Sequence, residues 1–365
     1  MKDTRRDFIK KGAALSALST FSIPNIAKSR TPIPLEDAPI QLCMAYFFGF
    51  EKLKMEYSRQ MGVTGAVGSA SRFMAGLQEG NAWDLKVLRA LKERYASEGL
   101  EWKVCEGTPP LDKTKLGLPG RDEELEKFIK LIKGLGEIDV NIICHNWMPV
   151  ISWHRSKVDT LSRGGALVSS FKYDDVKDQP LTEFGDFSEE QMWDNMEYFL
   201  KAVIPEAEKA GVKLALHPDD PPVPKIRGIA RIMRKADAFK KLIDLYPSPS
   251  NGLTLCQGTF ATMGEDIPEV IRYFGKREKI FFVHFRDIKG TKWDFEEAFH
   301  DDGITDMHKA MQEYYNVGYK GPMRPDHVPT MANDSNEHPG YSTIGFIYAL
   351  GYIKGLMEAV HKSQV

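Results

Sequence analysis

Four side chains of metal-binding type stand at the ends of four successive strand-like segments in the second half of this chain. They are His217 in LALHPDD, Cys256 in GLTLCQG, His284 in IFFVHFRD and Asp326 in GPMRPDH. Each segment is a short apolar run that turns polar at its last positions. Side chains at one end of neighbouring parallel strands converge, whereas a single His or Cys is more often a packed core residue. Two imidazoles and a carboxylate accept Mn²⁺ or Fe²⁺, and the thiolate pulls toward Fe²⁺, Co²⁺ or Zn²⁺. Substrate oxygens need coordination positions beyond four protein ligands, which six-coordinate Mn²⁺ or Fe²⁺ provides and tetrahedral Zn²⁺ does not.

Polar residues flank these ligands. His145 and Asn146 close an earlier strand-like run, Asp219 and Asp220 follow His217, Arg286 follows His284, and Arg324 and His327 flank Asp326. Arg286 and Arg324 offer a two-pronged grip on a substrate carboxylate, or a salt bridge to a neighbouring Asp. His327 reads as an acid or base, or as the partner that orients a ligand carboxylate. Tyr341, after Gly340, either turns its phenol into the site or packs.

The elements that must position these groups alternate along the chain. Strand candidates are 41–48, 62–69, 101–107, 141–147, 214–220, 252–258, 280–287 and 321–327. Most are dense in β-branched, aromatic and aliphatic residues, as strands buried on both faces are. Helical patterns fill the gaps: 83–99 ending on Gly99, 122–136 with acids in its first turn, 188–211 with Ser188 as N-cap, then 229–246, 267–275, 306–318 and 343–362. Eight strand–helix units predict an α/β fold, the (β/α)8 TIM barrel, as one domain over residues 38–365. Catalytic groups then belong at the C-terminal strand ends. No GxGxxG turn follows the first strand, which argues against a doubly wound dinucleotide-binding sheet. Segment 148–187 is too long for a simple loop, so it either covers the barrel mouth or meets a second subunit.

A net charge of −2 and the lack of a basic run exclude nucleic acid and anionic membrane as partners. No apolar stretch in the body of the chain reads as a bilayer span. The first 30 residues differ. Thr4-Arg5-Arg6-Asp7-Phe8-Ile9-Lys10-Lys11 leads into GAALSALSTFSI and a possible cleavage point near Ala27, the pattern of a twin-arginine export signal. This predicts a periplasmic protein, exported folded, a route that lets a metal be loaded in the cytoplasm before transfer. The four cysteines, Cys43, Cys105, Cys144 and Cys256, are widely spaced, and read as three buried residues plus one ligand.

HNWMPV, LHPDDPP, NGLTLCQG, VHFRDIKG, MRPDH and HPGYSTIG occur in this order, and together they resemble the mannonate dehydratase family from about residue 40 to the C-terminus. The resemblance implies a metal-dependent barrel that removes water from D-mannonate to give 2-keto-3-deoxy-D-gluconate, with Mn²⁺ or Fe²⁺ on His217, Cys256, His284 and Asp326. It places an acid/base pair on His327 and Tyr341. The expected substrate is a small sugar acid, held by groups such as Arg324, Arg286, His145, Asn146 and Asp219, and the expected assembly is a homodimer. The chain departs from the family pattern in MPVISWHRS, where Ser152 replaces Asp, and in PPVPKIRG. Phe346 stands where the family has Arg, and GSASRFMAGLQEGNA lacks an expected His. Two other readings use the same residues: a metal-dependent sugar isomerase or epimerase, and a non-catalytic periplasmic sugar-acid binding protein.

Overall fold

The barrel predicted from the strand–helix alternation is present in the computed structural model, which describes residues 38–364; the export-signal segment at 1–30 lies outside them. In chain order the elements open with β1 (Gln41–Ala45), α1 (Lys52–Gln60), β2 (Gly65–Gly68), α2 (Leu85–Ser97), β3 (Glu101–Glu106), α3 (Asp112–Leu116), α4 (Arg121–Glu137) and β4 (Ile142–Asn146). Next come β5 (Lys157–Leu161), β6 (Leu167–Lys172), α5 (Glu189–Ala210), β7 (Lys213–His217), β8 (Lys225–Ile226), β9 (Ile229–Ala230), α6 (Ala236–Leu245) and β10 (Asn251–Cys256). The chain ends with α7 (Gln257–Thr262), α8 (Ile267–Gly275), β11 (Ile280–His284), β12 (Ile288–Thr291), β13 (Asp294–Glu297), α9 (Met307–Asn316), β14 (Pro322–Arg324) and α10 (Thr343–Gln364).

Eight parallel strands close in the order β1-β14-β11-β10-β7-β4-β3-β2; six lie inside their strand candidates, and β7 and β10 start one residue before theirs. Buried Cys43, Val67, Val104, Cys144, Ala215, Phe281 and Phe282, contributed by six of these strands, pack into one cluster. All four cysteines are free and buried. Ser188 caps helix α5 as expected and the structure completes a capping box: its hydroxyl accepts from Gln191 N while the Gln191 side chain accepts from Ser188 N.

The structure fills in one sequence expectation and changes two. The segment after β4 that is too long for a simple loop contains a hairpin, β5 and β6, which joins β12 and β13, inserted after β11, in a four-stranded antiparallel sheet ordered β12-β13-β6-β5. The helix expected over 229–246 starts only at Ala236, because Ile229–Ala230 pairs with Lys225–Ile226 and buried Arg231 donates to the carbonyls of Ile151 and Ser152. The body of the chain also contains one helix, Thr343–Ser363, long and apolar enough by length and composition to cross a membrane. Its buried Phe346, Ala349, Leu350, Ile353, Met357 and Val360 recur at helical spacing, so they form one stripe of an outer barrel helix.

Candidate metal centre at the barrel mouth

His217, Cys256 and His284 are each the last residue of their strands, β7, β10 and β11, and Asp326 lies two residues beyond the end of β14. Strand register brings them level: Cys256 is paired with His284, and His284 with Arg324. One ligand-type atom from each of the four residues lies within 4.8 Å of all the others. Cys256 Sγ is 3.7 Å from Asp326 Oδ2, and His284 Nδ1 is 3.5 Å from the same oxygen.

The donors suit a divalent transition metal. His217 Nδ1 lies 2.7 Å from the carbonyl of Pro218. A carbonyl only accepts, so Nδ1 carries the proton and Nε2 keeps its lone pair. Both ring nitrogens of buried His284 lack a hydrogen-bond partner. Glu106 Oε1 faces His284 Nε2 at 3.4 Å, which suits a proton on that nitrogen and a free pair on Nδ1. Burial alone would raise the Cys256 thiol, but Arg286 and His217 outweigh it and hold the thiol well below its usual range. Asp326 is likewise held well below its range, against burial, by His327, His284 and Arg324. Burial and Arg324 oppose a proton on His284, yet Asp326 and Glu106 prevail and raise it, a sign of strongly negative surroundings.

His217, His284 and Asp326 open onto a cavity of about 300 Å³, lined also by Phe47, Glu106, His145, Asn146, Ser152, Trp153, His327 and Tyr341. His327 and Tyr341 stand edge to face there, 5.6 Å between ring centroids, and Trp153 lies 5.1 Å from His327. Gly340 makes this approach possible: its φ is +84°, and a Cβ on it would sit 3.0 Å from His327 Cδ2. Burial raises the Tyr341 phenol, so it stays protonated at neutral pH. Burial, reinforced by Lys115, lowers His145 to about 3 and keeps it neutral. Asn146 accepts from Met148 N at 3.0 Å and from Lys115 Nζ at 3.2 Å through its oxygen, which orients its amide.

Three residues expected to hold substrate are placed elsewhere. Arg286 is fully buried, with Nη1 2.6 Å from Glu297, Nη2 2.8 Å from Asp220 and Nε 2.8 Å from Asp326. Arg324 is also buried, gripping Glu106 with Nε and Nη2 at 3.1 and 2.9 Å while Nη1 lies 2.9 Å from Asp326. Both guanidiniums are buried against carboxylates and neither lines the cavity, so both brace the metal-site carboxylate from behind. Gly258 leaves room for this, since a Cβ there would lie 2.7 Å from Arg286 Nη1. Asp219 is buried outside the cavity lining, accepts from Met233 N at 2.8 Å, and is raised by burial to about 6.

The structure adds residues that the sequence reading passed over. Arg155 reaches Asp220 with two contacts, 2.6 and 2.9 Å, and Glu297 at 2.5 Å. Glu297 Oε1 lies 3.0 Å from His327 Nδ1. Asp220, Glu297 and His327 also bring ligand-type atoms together, but the guanidiniums of Arg155 and Arg286 already fill the space between those carboxylates. Glu106 is the last residue of β3, so the strand-end rule that singled out His217 points to it as well; Glu297 lies on an inserted strand, where that rule gives no signal.

With this geometry the comparisons with known proteins agree. The family profile described as D-mannonate dehydratase matches residues 40–184 and 172–365. The chain belongs to the mannonate dehydratase family. It is 32% identical over 349 residues to mannonate dehydratase 2 of Halalkalibacterium halodurans, covering 88% of this chain and 99% of that one. It is 34% identical to mannonate dehydratase of Streptococcus equi subsp. zooepidemicus, over 77% and 84% of the two chains. The crystal structure of mannonate dehydratase from Streptococcus suis serotype 2 superposes with a TM-score of 0.80 at 30% identity, covering 89% of this chain and 94% of that one. A D-tagatose 3-epimerase-like protein, at a TM-score of 0.56 and 14% identity, shares the barrel fold. Membership of the family makes this chain a hydro-lyase.

Proposed function

We propose that this chain dehydrates D-mannonate to 2-keto-3-deoxy-D-gluconate with Mn²⁺ or Fe²⁺ held by His217, Cys256, His284 and Asp326. One observation carries the reading: these four donors form a single cluster, three of them lining a cavity whose wall also presents His327 and Tyr341. When bound, such a cation supplies Lewis-acid stabilisation of the negative charge that builds on substrate oxygens. His327, whose Nδ1 faces Glu297, has Nε2 left to take the weakly acidic proton beside the substrate carboxylate. The Tyr341 phenol retains its proton at neutral pH and suits delivery of that proton to the departing hydroxyl. His145 and Asn146 supply neutral hydrogen-bonding groups to the sugar-acid hydroxyls, and Trp153 and Phe47 give apolar walls.

The test is direct. Metal-free protein is loaded anaerobically with Mn²⁺ or Fe²⁺ and incubated with mannonate, gluconate and altronate, scoring 2-keto-3-deoxy product. Formation from D-mannonate supports the reading, and absence of the product with either metal refutes it. An isomerised or epimerised acid with no loss of water would favour the isomerase alternative instead.

Two further parts of this reading concern location and assembly. The Thr4–Lys11 pattern supports export by a twin-arginine route to the periplasm. Exposed Val158 and Leu161 on edge strand β5, with exposed Trp293 in the turn between β12 and β13, support pairing of two chains into a homodimer, which sedimentation analysis tests.

A further inference from the structure

We propose that Glu297 is a positioning residue for proton transfer: it holds the His327 imidazole with Nδ1 protonated and turned inward, so that Nε2 is the atom offered to substrate. The inference rests on the reading of His327 as an acid or base. Glu297 is not on the barrel at all. It ends β13, in the inserted sheet, yet its carboxylate reaches 3.0 Å from His327 Nδ1.

Three features make the contact directional. An ionised carboxylate only accepts, so the shared proton belongs to Nδ1. Burial would raise Glu297, but Arg286, His327 and Arg155 hold it at about 2, which keeps it ionised. Both its oxygens are pinned, Oε1 by Arg155 at 2.5 Å and Oε2 by Arg286 at 2.6 Å, so the carboxylate cannot swing away. The imidazole is confined as well, between Trp153 at 5.1 Å, Tyr341 at 5.6 Å and the backbone at Gly340. Tautomer and ring orientation are thus set by a residue that is neither one of the four metal-type donors nor part of the cavity lining. The same logic governs the carboxylate behind a catalytic imidazole in serine proteases, where losing the correct tautomer lowers turnover by about 10⁴.

Glu297→Asp tests this, because it keeps the charge that Arg155 and Arg286 need while withdrawing the carboxylate by one methylene. Glu297→Gln is the second variant, keeping length while replacing one oxygen. Turnover of D-mannonate, bound metal per chain, melting temperature and the imidazole ¹⁵N–¹H spectrum are measured for each. The expected result for both is a kcat lowered at least about tenfold with KM within about threefold, at unchanged metal content. The Nδ1–H resonance, identified by its loss in His327→Ala, shifts or broadens in both variants. Adding Glu297→Asp to His327→Ala lowers the residual kcat no further, since the residue acts through the imidazole. Wild-type kcat in Glu297→Asp, or an equal loss with and without His327, overturns the proposal while leaving the role of His327 intact. Full activity in His327→Ala alone overturns the role of His327 and this proposal with it.

Discussion

Replacing Arg155 by methionine isolates the charge that the inserted segment sends into the barrel mouth. The methionine keeps much of the aliphatic stem, so the loss is mainly electrostatic. Arg155 is buried and contacts Asp220 at 2.6 and 2.9 Å and Glu297 at 2.5 Å. Removing one side of a buried ion pair destabilises by about 3–5 kcal/mol. Arg286 still touches both carboxylates, at 2.8 and 2.6 Å, which places the loss at the lower end. An unfolding entropy of about 0.7 kcal/mol per kelvin for a barrel of about 330 residues turns about 3 kcal/mol into a melting temperature about 4 K lower.

The pH dependence has a definite sign. In the parent protein burial pushes Asp220 and Glu297 up, but Arg155 and Arg286 outweigh it and hold both below the usual carboxylate range. Their contribution is therefore complete above the unfolded value of about 4 and constant between pH 7 and 5. With Arg155 gone, two buried carboxylates share one guanidinium, and burial raises at least one of them above its unfolded value. A raised carboxylate favours the folded state more as pH falls, so the variant recovers stability on acidification. Thermal melts of metal-stripped parent and Arg155→Met at pH 7 and pH 5, followed by circular dichroism, measure this. The gap of about 4 K at pH 7 narrows at pH 5. Equal melting at pH 7, or a gap that widens on acidification, refutes the assignment of Arg155 as the charge that holds these carboxylates.

Tyr341→Phe removes only the hydroxyl, and kcat falls by about 10²–10⁴ with bound metal unchanged. If the phenol protonates the leaving group, this variant still exchanges the proton beside the substrate carboxylate with D₂O, and loss of exchange as well reverses the roles of His327 and Tyr341. Cys256→Ser removes the soft donor, so equilibrium dialysis shows affinity for Fe²⁺ and Zn²⁺ falling more than affinity for Mn²⁺; an equal fall for all three contradicts a selecting role for sulfur. Changing Arg5 and Arg6 to Lys retains the product in the cytoplasm on cell fractionation, and unaltered export removes the twin-arginine route.

The barrel and its four donors were legible in the sequence because both obey local rules. A strand buried on both faces is a continuous apolar run, and its last residue turns toward the mouth, as His217, Cys256 and His284 do. Arg286 and Arg324 carried the same positional signal and the opposite meaning. Spacing places a guanidinium at the mouth, but only the count of carboxylates around it decides whether it has donors to spare. That count depends on Glu106 from β3 and Asp220 after β7, both remote in sequence from either arginine, and on Glu297, which only the turn between β12 and β13 brings back to Arg286. The inserted sheet was hidden for a related reason. Strand β5 is short and largely exposed and three of the four residues of β13 are acidic, so neither has the apolar pattern that marks a barrel strand.

The charges at the mouth add a constraint that the donor geometry alone does not. Arg155, Arg286 and Arg324 join Asp220, Glu297, Asp326 and Glu106 into one contact network, and the Cys256 sulfur touches it through Asp326 at 3.7 Å. With Cys256 as thiolate, five negative groups face three positive ones, an excess of two in a largely buried site. Neutral imidazoles from His217 and His284 leave that excess unchanged, and a divalent cation cancels it. A monovalent cation would leave the buried site charged, and a trivalent one would reverse the sign, each unfavourable where little water screens it. The arginines therefore do more than brace Asp326. By offsetting three of the five negative charges, they set the charge of the cation that this cluster of donors accepts.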